Sequence, residues 1–127
     1  MPLTVLLVDD DATSVATCTE LLACEGCRVV TASSGAEALA CVLGEHPDLA
    51  IMETRIGRED ELEYLARMKA LDSSLQVILY TDHWRYRDDF TSWLADAYLL
   101  KKLDTEPLLH AIRELAAGRG LVPAAGE

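Results

Sequence analysis

Apolar residues come along this chain in two rhythms, and the rhythms alternate. Short unbroken runs read as strands buried on both faces: "LTVLLV" (3–8), "CRVVTA" (27–32), "DLAIM" (48–52), "LQVILYT" (75–81) and "AYLL" (97–100). Between them, apolar residues recur at helical spacing. In 12–26 the stripe is Val15, Cys18, Leu21 and Leu22, with Gly26 as the stop. In 33–47 it is Leu39, Val42 and Leu43, with Ser33 or Ser34 as cap and Gly44 and Pro47 closing the helix. Leu62, Leu65 and Met68 mark a helix over 61–71, and Phe90, Trp93 and Leu94 a weaker one over 82–96. The last helix, 104–118, has Asp104 as cap, Pro107 in the tolerant first turn, and Leu108, Leu109, Ile112 and Leu115 as its core face. The stretch "TRIGRED" reads as a loop, and 119–127 as a tail or the start of a linker after one domain, 1–118.

Buried strands joined by helices form a parallel sheet covered on both faces, so the expected fold class is α/β with five strands and five helices. In such sheets the functional edge lies beyond the strand C-termini, at the switch in strand order. That rule gathers Asp9 and Asp10 after the first strand, Glu53 after the third, Thr81 after the fourth and Lys101 after the fifth.

Composition narrows the function. No apolar run approaches the roughly 20 residues needed to span a bilayer. The N-terminus lacks a basic region and meets Asp9, Asp10 and Asp11 directly after its apolar run, unlike a signal peptide, so the expected location is the cytoplasm. The formal net charge of −11, from 22 acidic and 11 basic residues, argues against nucleic-acid binding by this domain, because that affinity rests on cations neutralising phosphates. Cys24 and Cys27 form a C-x-x-C, but they fall at a helix C-terminus, where the dipole does not favour a thiolate, and no second ligand pair accompanies them. A redox-responsive adaptor using this pair is a minority reading. No phosphate-binding glycine loop, H-E-x-x-H or nucleophile elbow is present, so the chain is not expected to be an enzyme.

The carboxylates at the sheet edge are the chemistry left to explain. Such a cluster repels itself unless a cation joins it. Mg²⁺ suits one or two carboxylates plus water and phosphate oxygens, and Asp9 and Asp10 are its candidate ligands. Lys101 offers a point charge and Thr81 a hydroxyl to a phosphoryl oxygen, an arrangement for phosphoryl transfer by positioning and charge.

In this order the residues resemble the receiver domain of two-component response regulators, over about 3–117. "VLLVDDD" resembles the opening strand with its acidic pair, "ASSGAEAL" the start of the second helix, and "PDLAIME" the strand that carries the phosphoacceptor aspartate. "VILYT" places Thr81 as the switch hydroxyl, and "DAYLLKKLD" places Tyr98 as the switch aromatic and Lys101 as the family's lysine. The resemblance implies a flavodoxin-like, doubly wound sheet of order 2-1-3-4-5. It also implies partners among signalling proteins, a histidine kinase or an output domain, met through the face of the fourth helix, fifth strand and fifth helix, where self-association is also expected. Trp84 and Tyr86 are candidate anchors on that face.

The departures shape the expected function. Glu53 stands where the resemblance puts the acceptor aspartate, and its extra methylene moves the carboxylate outward by about 1.5 Å. In-line transfer tolerates that badly. Lys102 replaces a proline, "TRIGREDELE" replaces a Pro-Gly type loop, Arg55 brings a cation close to Glu53, and Asp82 adds a carboxylate at the rim. The expected function is an atypical receiver acting by protein–protein interaction without Asp phosphorylation. Glu53 then either imitates the phosphorylated state or marks a disused pocket. The alternative is a Mg²⁺-dependent receiver phosphorylated on another carboxylate.

Overall fold

A computed structural model of the chain describes residues 3–56, 59–60, 62–82, 94–101 and 104–118. The elements are β1 (Thr4–Val8), α1 (Ala12–Cys24), β2 (Arg28–Ala32), α2 (Gly35–Glu45), β3 (Leu49–Met52), β4 (Arg55–Ile56), β5 (Glu59–Asp60), α3 (Leu62–Leu71), β6 (Gln76–Thr81), β7 (Ala97–Leu100) and α4 (Glu106–Gly118). Five strands form one parallel sheet in the order β2-β1-β3-β6-β7. The labels differ from the expected 2-1-3-4-5 because β4 and β5, a two-residue antiparallel hairpin, stand where a loop was expected. Four helices lie among the described residues. The expected helix over 82–96 falls almost wholly outside them, as do Trp84, Tyr86, Lys102 and the tail 119–127.

Alternation along the strands sorts the core into two layers. Leu6, Val8, Ala50, Met52, Val77 and Leu79 face one way, onto Ala38 and Val42 of α2 and Leu65 and Met68 of α3. Val5, Leu7, Leu49, Ile51, Ile78 and Tyr80 face the other way, onto Cys18 and Leu22 of α1 and Leu108, Ile112 and Ala116 of α4. The unbroken apolar runs exist because both faces are covered.

Helix ends follow their side chains. Asp11 caps α1, its carboxylate accepting from the Thr13 N–H at 3.1 Å, and Gly26 ends that segment at φ 81°, where a side chain would be strained. Ser34 caps α2 by accepting from the Glu37 N–H at 3.1 Å, while the Glu37 carboxylate takes the Ser33 hydroxyl at 2.6 Å. Those hydrogen bonds from Ser33 hold the Glu37 carboxyl below its usual value. Asp104 accepts from the Glu106 N–H at 3.0 Å ahead of α4.

Three local expectations fail. Leu43, placed on the inward stripe of α2, is 60% exposed, and Ala38 is buried instead. The helix packs through Gly35, Ala38 and Val42, and Leu43 lies about 100° around from Val42. Gly44 does not end α2 either: the helix runs to Glu45, and His46 makes the left-handed turn at φ 49° before Pro47. Leu94, assigned to an inward stripe, is also exposed, and Leu94–Asp96 lead into β7 as a short turn.

Candidate functional site

Four side chains meet at the C-terminal edge of the sheet because the ladder continues one residue past the strands. The Asp9 N–H donates to the Ala32 carbonyl at 3.0 Å, Glu53 to Val8 at 2.9 Å and Lys101 to Thr81 at 2.8 Å. Each side chain is therefore hung from backbone already fixed in the sheet. The base of β7 is clamped as well. Lys69 donates to the Leu75 carbonyl at 2.7 Å and to Asp96 at 2.9 Å, and Asp96 accepts from the Val77 N–H at 2.7 Å.

Lys101 is the hub. Its Nζ lies 2.6 Å from Asp9 Oδ2 and 2.6 Å from Glu53 Oε2. Asp9 and Glu53 are each 5% exposed, so the cation sits between two carboxylates largely withdrawn from water. Burial alone would lower the Lys101 pKa. The hydrogen bonds and charges of Asp9 and Glu53 outweigh it and hold the ammonium above the ordinary lysine value.

The other oxygen of Glu53 meets a row of donors. Oε1 accepts from the Thr54 N–H at 2.9 Å, the Arg55 N–H at 3.4 Å and the Thr81 hydroxyl at 2.5 Å. Thr54 and Thr81 are fully buried, and the Thr54 hydroxyl lies 3.1 Å from Thr81 Oγ1. The Glu53 carboxylate thus occupies a pocket made of one ammonium, one hydroxyl and backbone N–H groups, a donor set equally suited to phosphoryl oxygens. Asp9, Asp10, Asp11, Glu53, Arg55, Asp82 and Lys101 line an open cleft of about 160 Å³ above it.

Of the residues expected from sequence, Asp9, Glu53, Thr81 and Lys101 are brought into direct contact, and Asp10, Arg55 and Asp82 reach the same cleft. Tyr98 stands apart from this contact set. It lies on β7 opposite Leu79, half-buried against the α2/α3 layer. Thr54 was missed. Nothing in "METRIG" marks it, and its part appears only when β3 and β6 lie side by side.

The carboxylate oxygens at this edge already have protein partners. Asp9 Oδ1 accepts from the Asp11 N–H at 3.0 Å, and Oδ2 faces Lys101. Both Glu53 oxygens face protein donors. Among the described residues no group of three His, Cys, Asp or Glu side chains is placed to hold a metal ion. The protein donors on Asp9 and Glu53 would compete with a divalent ion, while Asp10 and Asp82 line the same cleft. In the C-x-x-C pair, burial, with the Glu25 charge, pushes the Cys27 thiol up to about 11, away from the thiolate form, while Cys24 is exposed. No described helix is long and apolar enough to cross a membrane.

The fold and this edge of acidic residues, hydroxyl and lysine define a class. The family model for the response regulator receiver domain matches residues 5–113, and the chain belongs to that family, the receiver of two-component phosphorelay signalling. Among curated relatives, the transcriptional regulatory protein GlrR of Escherichia coli is 34% identical over 113 residues, 87% of this chain and 26% of that protein. Sporulation initiation phosphotransferase F of Bacillus subtilis is 35% identical over 77 residues, 61% of this chain and 62% of that protein. The chain thus spans about a quarter of one relative and less than two thirds of the other. Among solved structures, the response regulator TrrA of Thermotoga maritima, in complex with Mg²⁺ and BeF, is 29% identical with a TM-score of 0.85, covering 89% of this chain and 98% of that one. TrrA has also been solved with the histidine kinase ThkA, and that match has a TM-score of 0.81, 29% identity and coverage of 89% and 97%.

Proposed function

We propose that this receiver acts without phosphorylation at its sheet edge, with Glu53 standing in for a phosphorylated acceptor. The observation that carries the reading is the set of contacts on the Glu53 carboxylate. Lys101 holds one oxygen, and the Thr81 hydroxyl and the Thr54 N–H hold the other. A phosphoryl group seeking charge and hydrogen bonds at this edge would need the same donors. On this reading Glu53 occupies them in place of a phosphoryl group.

On this reading Lys101, paired with Asp9, orients Glu53, and any Mg²⁺ held through Asp9 and Asp10 is bound weakly. Thr81 is the hydroxyl whose position reports the state of the site, and Tyr98 the aromatic that carries it outward. The domain then works as an interaction module in the cytoplasm rather than as an enzyme. It meets a histidine kinase or an output domain, or a second copy of itself, through the face made by β7 and α4. Its net charge of −11 argues for protein rather than nucleic acid as the partner.

The test is intact-mass spectrometry after incubation with Mg²⁺ and acetyl phosphate, on the wild type and Glu53→Asp side by side. The expected outcome is a phosphoryl mass on the Asp variant alone. A gain in the wild type would restore a receiver phosphorylated on another carboxylate. No gain in either would mean that the pocket no longer supports the chemistry and that Glu53 is a structural ion-pair partner.

A further inference from the structure

We propose that Thr54 is a positioning residue that fixes the Thr81 hydroxyl toward the carboxylate, so that the switch hydroxyl is held inward with no phosphoryl group present. The inference rests on the reading of Glu53 given above and assigns the residue that enforces it. Ionised Glu53 can only accept, so Thr81, whose Oγ1 lies 2.5 Å from Glu53 Oε1, must spend its single hydroxyl proton there. The oxygen of Thr81 is then left as an acceptor. Thr54 is fully buried, and a buried hydroxyl needs a partner. Its nearer acceptor is Thr81 Oγ1 at 3.1 Å, against 3.4 Å to Glu53 Oε1. The result is a one-way chain, Thr54 to Thr81 to Glu53, in which each bond polarises the next.

The same residue closes the ring from its backbone, since the Thr54 N–H donates to Glu53 Oε1 at 2.9 Å. Thr54 therefore holds both ends of the Thr81–Glu53 contact. A Thr81 side chain rotated away from the site would break its bond to Glu53 and leave the buried Thr54 hydroxyl only its longer, 3.4 Å contact to Glu53 Oε1. β-branching adds stiffness, because Thr54 and Thr81 each have few χ1 choices.

The test is NMR on the full chain, comparing wild type, Thr54→Ser and Thr54→Val. The readouts are the Thr81 hydroxyl proton, visible when a buried hydrogen bond slows its exchange, and the three-bond couplings that report Thr81 χ1. Wild type and Thr54→Ser are expected to show the hydroxyl proton and couplings of a single rotamer. Thr54→Val, matched in shape, is expected to lose the proton signal and give rotamer-averaged couplings while its amide spectrum stays dispersed. Should the valine variant not fold, Thr54→Ala adds no volume and carries the same comparison. Wild-type Thr81 signals in Thr54→Val would overturn the proposal. So would Thr54→Ser behaving like Thr54→Val, because packing by the methyl and not the hydroxyl would then hold Thr81. Failure of the Glu53 reading is separately visible: it appears as phosphoryl uptake by the wild type, or by neither the wild type nor Glu53→Asp, whatever the Thr54 variants do.

Discussion

Replacing Lys101 by Met is the sharpest perturbation the site offers. Met keeps an unbranched stem and removes the charge, leaving Asp9 and Glu53, each 5% exposed, facing one another. Each carboxylate lies 2.6 Å from the ammonium in the native site. At an effective dielectric of about 20, one such contact is a gross attraction of roughly 6 kcal/mol. Desolvation of the ions, several kcal/mol each, consumes much of that. Removing the cation restores none of the lost hydration, so the net cost is that of a broken buried pair, about 3–5 kcal/mol. For a domain whose whole stability is about 5–15 kcal/mol, that is a large share. A melting-temperature drop of about 10–20 °C follows.

The assay is thermal and urea unfolding of wild type, Lys101→Met, Glu53→Gln and the double variant. Glutamine has no charge to strand, so Glu53→Gln should cost less in the Met background than in the wild type, with a coupling of about 1–3 kcal/mol. The pH dependence has a definite sign. The folded-state pKa of Lys101 is raised above the ordinary 10.5, so its contribution is complete below that value and is lost only as pH climbs through the higher folded value. The gap between wild type and Lys101→Met should be flat from about pH 7 to 9 and narrow above the ordinary lysine value. A loss under about 1 kcal/mol, or a strictly additive cycle, would refute the view that Lys101 holds Glu53 in its pocket.

Two further outcomes are checked more simply. Because Asp9 and Glu53 turn their oxygens onto protein donors, 10 mM Mg²⁺ should stabilise the wild type by under about 0.5 kcal/mol in the same unfolding assay; a gain of about 2.7 kcal/mol, that of a ligand at a hundred times its Kd, would reveal a real cation site. Cys24 is exposed, whereas the Cys27 thiol is pushed up to about 11. Iodoacetamide at pH 8 should therefore label Cys24 first, and mild oxidant should leave both thiols countable; rapid formation of a Cys24–Cys27 disulfide would revive the redox reading.

Much of this protein was legible in the chain by itself. The runs "LTVLLV" and "VILYT" could only be strands buried on both faces, and Leu108, Leu109 and Ile112 could only be the inner face of a helix. Alternating them forces a parallel sheet, and a parallel sheet brings Asp9, Glu53, Thr81 and Lys101 to one edge whatever the loops do. Periodicity is a local property, and these residues obey it.

What only the tertiary structure decided depends on distance and angle between elements. Whether α2 buries Leu43 or Ala38 is set by how the helix rolls on the sheet, and one residue of roll moves a side chain about 100°. That Asp9 and Glu53 share a single Lys101 follows from the register of β1, β3, β6 and β7. Thr54 had no signal at all in the sequence, because a buried hydroxyl draws its meaning from the partner opposite. That partner, Thr81, is 27 residues away along the chain and 3.1 Å away in space.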